Sequence, residues 1–230
     1  MPDSDPRDLP LFPLNVVLYP GMALPLRIFE ERYKLMMQRC LEEDKIFGVV
    51  LIKSGKEVGG SAIPFEVGTM ARITDVIPQG GGRMHLSAIG EGVFRIVDVQ
   101  QITPYMVGRV ELLERPEESA PEELTARVVR HFRTYKSLLA SLRGTGDGAV
   151  EMDEDPQRLS YTVAAELMAG PREKQGLLET PSAKVRLEEE LKLLQSTNLS
   201  LELFLSERKK KEARGGGKDD PSERPRFSLN

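Results

Sequence analysis

The side chains that most often carry out catalysis are few in this sequence, and their positions give them no evident partners. The 230 residues contain one cysteine, Cys40, and two histidines, His85 and His131. Cys40 falls on the apolar face of a predicted helix, where burial raises the pKa of a thiol and makes it unreactive. His85 lies on the polar side of a predicted strand and His131 on the polar side of a predicted helix. We therefore expect neither histidine to act as a catalytic base.

The motifs of common catalytic and cofactor sites are also missing. No G-x-x-x-x-G-K-[ST] phosphate loop and no G-x-S-x-G nucleophile elbow occur. The glycine-rich runs at 144–148 and 215–218 lack the required spacing and are interpreted as linkers. One cysteine and two histidines leave little material for a zinc site. A Ser–Lys dyad needs no local spacing and stays open, but the sequence predicts no catalytic, cofactor or metal site.

Composition narrows the class of protein further. Lys plus Arg total 32 and Asp plus Glu total 36, so the formal net charge is −4, which argues against general nucleic-acid binding. No run of about 18 apolar residues is present, and the first eight residues lack the features of a secretory signal. A single cysteine excludes an internal disulfide framework and favours a reducing compartment. We predict a cytoplasmic protein that does not interact with membranes.

Hydrophobic periodicity predicts a β-rich first half with one helix. The helix spans 30–43, because Tyr33, Met36, Met37 and Cys40 recur at helical spacing. The prolines in 9–20 predict an edge strand, or several short ones, and the continuous apolar run 46–52 predicts a central strand. Glycines at 90 and 92 are expected to end one strand before the next begins. The predicted strands are 9–20, 23–29, 46–52, 67–77, 83–89, 93–100 and 106–113. Such spacing indicates a small barrel or a folded sheet.

The second half is predicted to be helical. A proline-rich and acidic linker at 115–123 precedes an amphipathic stripe from Leu124 to Leu142. Further helices are expected at 156–169 and 173–178, and from Thr180-Pro181 onward, with Thr180 as the N-cap. The predicted organisation is a flexible N-terminus at 1–8, a β-rich domain at 9–115, a helical subdomain at 116–207, and a disordered tail at 208–230.

Several runs resemble the N-terminal, substrate-binding domain family of Lon proteases. LPLFPLNVVLYPGMALPLRIFEERY (9–33) resembles the opening of that domain. VGTMARI (67–73), RMHLSAIGEGVFRIVDV (83–99) and YMVGRVELLE (105–114) follow in the family's order and spacing. EKQGLLETPSAKVRLEEELKLL (173–194) is similar to the linking helices of Lon. Glu31 replaces the proline of the family's Phe-Glu-Pro-Arg-Tyr motif, which a first-turn helix position should tolerate.

The resemblance implies an α+β fold, in which a PUA-like β pseudo-barrel with one helix is followed by an α-helical subdomain. It also implies a stand-alone, non-enzymatic module that recognises polypeptides, because no ATPase or peptidase motif is present. The implied partners are unfolded or exposed polypeptide segments, with a protease or chaperone as a further partner. Two alternatives stay open, an RNA-binding PUA-like module and an adaptor within a proteolysis complex.

Phe29, Arg32 and Tyr33 are the candidate rim of a peptide-binding groove, because they dominate the match to the family. A structural role is the competing interpretation. In that case Phe29 would staple the entry of the helix, and Arg32 would pair with an acid on the barrel. The 9–20 run and the hairpin at Gly80–Gly82 are further candidate borders of the binding surface.

Overall fold

The computed structural model describes residues 6–57, 62–114, 120–145 and 152–214, with side chains to 211. In these described residues, six strands and five helices form an α+β fold, as predicted. Residues 115–119 of the predicted linker and the segment 215–230 lie outside the described residues, as do 146–148 of the glycine-rich loop. The elements are β1 (Arg7–Leu14), β2 (Ala23–Ile28), α1 (Glu31–Glu42), β3 (Ile46–Gly55), β4 (Ala62–Pro78), β5 (Met84–Gln101), β6 (Met106–Leu112), α2 (Glu122–Arg143), α3 (Pro156–Glu166), α4 (Pro171–Glu179) and α5 (Ala183–Arg214).

The sheet closes into a pseudo-barrel. Its strand order is β2-β5-β4-β3-β1-β6, and an additional pairing of β5 with β6 joins the two sides. β2 pairs only with the first half of β5, from Ala23↔Ile89 to Ile28↔Met84. β6 pairs with the second half, beginning at Phe94↔Leu112. Of the small barrel and the folded sheet that the strand spacing indicates, the small barrel is therefore confirmed. β2 extends it by pairing with the first half of β5.

The prediction that β1 forms an edge is wrong, because β1 lies between β3 and β6. β6 pairs with residues Arg7 to Leu11 of β1, and β3 pairs with residues Leu11 to Leu14. The two paired stretches overlap only at Leu11. Pro10 and Pro13 therefore each have a strand partner on one side only, so an interior strand can accommodate both prolines.

The prediction that Gly90 and Gly92 end a strand is also wrong, because β5 continues through both. A Cβ atom at Gly90 would lie 2.2 Å from the carbonyl oxygen of Tyr19. Glycine is therefore needed for the close approach of a neighbouring segment, which is a tertiary requirement that local sequence does not show.

The helices begin and end close to their predicted positions, with two differences. Thr180 is the C-cap residue of α4, not an N-cap, and its hydroxyl donates to the carbonyl of Gly176. Ser182 caps α5 instead, because its Oγ accepts a hydrogen bond from the Val185 amide at 3.2 Å. α5 continues to Arg214 and so includes the first residues of the segment predicted as a disordered tail.

One hydrophobic cluster joins the barrel to the helices. It contains Tyr19, Val67 and Val93 from the β-rich half together with Phe132 and Leu187 from the helical half. Two hydrogen bonds cross the same boundary. The Tyr19 hydroxyl donates to the carbonyl of Lys174 at 2.7 Å, and the side-chain Nε2 of Gln175 donates to the carbonyl of Val67 at 2.9 Å. The two halves therefore share a core.

Candidate functional site

A cleft of about 760 Å³ lies where the barrel meets α3, and we call it the junction cleft. Its sheet wall consists of Pro20, Gly21, Met22, Glu91, Gly92, Val93 and Leu113. Its helix wall consists of Asp153, Gln157, Arg158, Tyr161, Thr162, Ala165 and Glu166. Its volume is within the range of about 300–1,000 Å³ that is typical of ligand pockets.

The sheet wall forms where β5 changes partner. The pairing with β2 ends at Ile89, and the pairing with β6 begins at Phe94. On the other side of β5, the register with β4 passes from Ala71↔Gly90 to Thr69↔Val93. Glu91 and Gly92 therefore have no partner residue in any of these registers, and they form a bulge that faces the cleft.

A tight turn before β2 holds the other part of this wall. Gly21 adopts φ 80°, a left-handed conformation that glycine tolerates. Its amide donates to the carbonyl of Gly90 at 2.8 Å, and the Gly90 amide donates to the carbonyl of Met22 at 2.9 Å. These two hydrogen bonds tie the turn to β5, so the wall is built from ordered backbone.

The helix wall depends on the start of α3. The Asp155 side chain accepts a hydrogen bond from the Arg158 amide at 2.8 Å, and Pro156 occupies the first turn. This start directs Tyr161, Thr162 and Ala165 of α3 towards the cleft.

A buried charged residue supports the Tyr161 ring from behind. The Arg186 guanidinium lies 4.1 Å from the centre of this ring, and Arg186 is fully buried. Its Nε donates to Ser160 Oγ at 2.8 Å, and its Nη1 donates to the carbonyl of Thr180 at 2.7 Å. The Tyr161 ring is therefore fixed by a cation–π contact that is shielded from water.

Glu190 lies one turn along α5 from Arg186 and is also fully buried. Neither of its carboxyl oxygens has a hydrogen-bond partner among the described residues. Burial raises the pKa of Glu190 well above its ordinary value, although Arg186 opposes this shift. The carboxyl group therefore favours its protonated form, which avoids an unpaired buried charge.

The charges at the rim of the junction cleft are compensated. Glu91 forms an ion pair with Arg72, and Asp153 forms one with Arg158. Glu166 forms a third ion pair, with Lys136. The cleft thus combines apolar walls with a rim of paired charges, which suits the burial of apolar side chains better than the binding of a strongly charged ligand.

The residues considered for chemistry in the sequence do not assemble into a reactive site. Cys40 is buried, and this burial raises the pKa of its thiol to about 12. His85 is exposed and His131 is half-buried. Within the described parts of the chain, no group of three or more His, Cys, Asp or Glu side chains could hold a metal ion.

The structure places the three predicted rim residues away from the junction cleft. Phe29 is 54% exposed, whereas Tyr33 is only 5% exposed and packs its ring 4.1 Å from that of Phe12. The Arg32 guanidinium lies 4.5 Å from the Tyr33 ring centre. Arg32 also forms an ion pair with Glu30 at 3.1 Å and donates to the carbonyl of Glu57. Of the three side chains, Phe29 presents the largest surface.

Phe29 lines a second pocket, of about 270 Å³, at the tip of the β4–β5 hairpin. We call it the hairpin pocket. It is lined by Arg27, Ile28, Phe29, Gln79, Arg83, Met84 and His85.

The residues of the junction cleft are not predicted by the sequence as parts of a site. Gly21 falls between two predicted strands, and Gly92 is predicted only to separate two strands. Nothing in the local pattern indicated that Tyr161 and Thr162 would face them, because α3 follows β5 by some fifty residues. The available signal was a pair of glycines two residues apart within an otherwise continuous strand pattern, which is typical of a bulge.

Comparison with known proteins identifies the family of this chain. The model of the ATP-dependent protease La (LON) substrate-binding domain matches residues 8–196. The chain belongs to the Lon substrate-binding domain family. It is 30% identical over 194 residues to Lon protease 2 of Myxococcus xanthus and 28% identical over 194 residues to the Lon protease of Anaeromyxobacter dehalogenans. These matches cover 82% of this chain but only 24% and 23% of the two proteases.

Solved structures show the same fold. A Lon N-terminal domain protein from Xanthomonas campestris aligns with a TM-score of 0.63 and 27% identity, covering 80% of this chain and 97% of that one. The N-terminal domain of a Mycobacterium avium complex Lon protease aligns with a TM-score of 0.58 at 18% identity, covering 82% of this chain and 98% of that one. Within the described residues, no helix has the length and apolar character needed to cross a membrane.

Proposed function

We propose that this chain is a non-catalytic module that binds exposed apolar segments of unfolded polypeptides in the junction cleft. The observation that carries the proposal is the cleft itself, where apolar side chains of Met22, Val93 and Leu113 face α3 across a strand bulge. Burial of apolar surface would provide the affinity, at about 25 cal/mol per Å².

The bulge supports polypeptide as the ligand. Glu91 and Gly92 have no partner residue in the registers of the neighbouring strands. We propose that their backbone amide and carbonyl groups pair with an extended peptide, as in other cases of strand addition. Backbone pairing of this kind tolerates many sequences, which suits a protein that recognises unfolded chains.

We also propose that Phe29 contributes to polypeptide binding as an exposed apolar contact at the hairpin pocket. Arg32 and Tyr33 would then act as supports. The cation–π contact between them and the packing of Tyr33 on Phe12 hold the start of α1, which directly follows Phe29.

The matched proteases suggest the setting. The chain spans about a quarter of the length of the curated Lon proteases it matches. We propose that it works in the cytoplasm and delivers polypeptides to a protease or chaperone.

The class of ligand is tested by titrating the protein into a fluorescent unfolded peptide and into a fluorescent single-stranded RNA, at low and at physiological salt. We expect weak peptide binding, in the micromolar range or above, because a single patch must offset the ordering entropy of a flexible chain. This binding should depend little on salt. Tight RNA binding that falls steeply with salt, together with no detectable peptide binding, would favour the RNA-binding alternative instead.

A further inference from the structure

An exposed strip of the β2–β5 ladder connects the two pockets, and we call it the outer strip. Three cross-strand pairs form it, and all six of their residues are exposed. These pairs are Ala23↔Ile89, Pro25↔Ser87 and Arg27↔His85. The intervening residues Leu24, Leu86 and Ala88 face the core and are buried. In the described sheet, β2 is the last strand on its side.

The junction cleft and the hairpin pocket lie at opposite ends of this strip. Gly21 and Met22 line the cleft and directly precede β2, while Arg27 and Phe29 line the hairpin pocket at its other end. The distance between these ends is the length of the ladder, which consists of six residue pairs, from Ala23↔Ile89 to Ile28↔Met84. At about 3.4 Å per residue, an extended ligand would cross this distance of roughly 20 Å with about six residues.

The hairpin pocket is cationic, although the whole chain carries a net charge of −4. Arg27 and Arg83 line it, and no carboxylate is among its described lining residues. A lysine fixes the hairpin in place, because Lys34 Nζ donates to the carbonyl of Gly81 at 2.9 Å and pairs with Glu31. Guanidinium groups bind carboxylates with strong, charge-assisted hydrogen bonds. The exposed ring of Phe29 adds an apolar contact beside these charges.

We propose that the junction cleft, the outer strip and the hairpin pocket form one continuous polypeptide site. An apolar anchor of the ligand occupies the cleft, and about six extended residues follow the strip. A carboxylate of the ligand then binds Arg27 and Arg83. This inference rests on the proposed function and deepens it by naming the substrate class: polypeptides with an acidic group about six residues from an apolar anchor.

The first experiment measures fluorescence anisotropy of labelled peptides with the full chain. Each peptide carries a Leu-Phe-Leu anchor, a Gly-Ser spacer of two or six residues, and a terminal Asp. A two-residue spacer cannot span the sites, so the carboxylate gains no effective concentration. We expect the six-residue spacer to bind roughly five- to tenfold more tightly at low salt, as expected for two partly exposed ion pairs. Replacing the terminal Asp with an amidated Lys should remove this gain.

Matched variants locate the acidic contact. In the double variant Arg27→Glu with Arg83→Glu, the preference for the six-residue spacer should disappear. The control is Arg130→Glu with Arg133→Glu, which makes the same change of charge at exposed positions on α2. The control should retain the preference. Thermal unfolding of both variants verifies that they are folded.

Two further peptides distinguish the source of the carboxylate. One has an amidated C-terminus after a Glu side chain, and the other has a free C-terminus after glycine. A gain for either one supports a carboxylate site and identifies the group that binds. If peptides bind equally well whatever their spacing or charge, and still require the junction cleft, the inference is overturned while the proposed function stands. If no apolar peptide binds at all, the proposed function fails as well.

Discussion

Glu190 connects the stability of the helical core to the wall of the junction cleft. Its buried carboxyl group lies one turn from Arg186, whose guanidinium supports the Tyr161 ring. Burial raises the pKa of Glu190 in the folded chain above the value of about 4.3 that is expected when the chain unfolds. The folded chain therefore binds more protons at this position, so this group lowers the free energy of unfolding as pH rises above about 4.3.

Glu190→Gln removes this titration and keeps the shape of the side chain. We expect the variant to gain stability relative to the wild type as pH rises, and to exceed it by about 1 kcal/mol or more at pH 8.5, the order of the cost of one unpaired buried polar group. Urea unfolding at pH 5, 7 and 8.5 measures the difference. Glu189→Gln, on the exposed side of the same helix, is the control and should stay within about 0.5 kcal/mol of the wild type. An unchanged pH dependence in Glu190→Gln would show that this carboxyl group is not desolvated.

At the scale of elements, β5 organises the candidate site because it exchanges β2 for β6 at Glu91 and Gly92. The exchange requires the turn at Gly21 to approach Gly90 closely. The conformation of this short stretch therefore determines the shape of the sheet wall.

Gly90→Ala tests the close approach. The new Cβ would lie 2.2 Å from the backbone oxygen of Tyr19, which cannot move away without displacing the turn. We expect a loss of about 2 kcal/mol or more in the free energy of unfolding. The matched control is Gly176→Ala in α4, where no atom lies within 4 Å of the added Cβ. That variant should gain about 0.5–1 kcal/mol, because alanine favours a helix. Chemical denaturation measures both free energies of unfolding. Equal changes in the two variants would show that Gly90 is not needed for the close approach of Tyr19.

Elements with strong local patterns could be predicted from the sequence, whereas the pairing and packing of these elements with one another could not. The spacing of Met36, Met37 and Cys40 predicted α1 and its buried face correctly, because amphipathic periodicity is a local property. Pro10 and Pro13 misled the prediction for β1, because a proline excludes a strand partner only on the side that its missing amide would face. The junction cleft was not predictable from the sequence either. Its walls come from segments that are distant along the chain, and local patterns do not specify which of these segments meet.

At the scale of the whole molecule, the barrel and the helices should unfold together. A single apolar cluster contains Val67 and Val93 from the barrel and Leu187 and Phe132 from the helices. The sequence predicts a β-rich domain followed by a helical subdomain, but it does not indicate this shared core, because composition marks a linker and not the contacts across it.

Leu187→Ala tests this coupling. The side chain is fully buried in the shared cluster, so its truncation should cost about 2–5 kcal/mol. We expect one cooperative transition at a lower temperature, with faster hydrogen exchange in both α5 and β4. If the exchange of β4 amides and the unfolding of the barrel stayed as in the wild type, the two halves would be independent.

The most direct test of the central claim places an obstruction in the junction cleft. Thr162 lines the cleft, and Thr162→Arg would fill part of it. Thr134→Arg on α2 is a close control, because both threonines are half-buried and donate to the carbonyl four residues earlier, at 3.0 and 3.2 Å. We predict that Thr162→Arg lowers the affinity for an unfolded apolar peptide at least tenfold, while Thr134→Arg binds like the wild type, as measured by fluorescence anisotropy. Equal peptide affinity in both folded variants would show that polypeptides do not bind in the junction cleft.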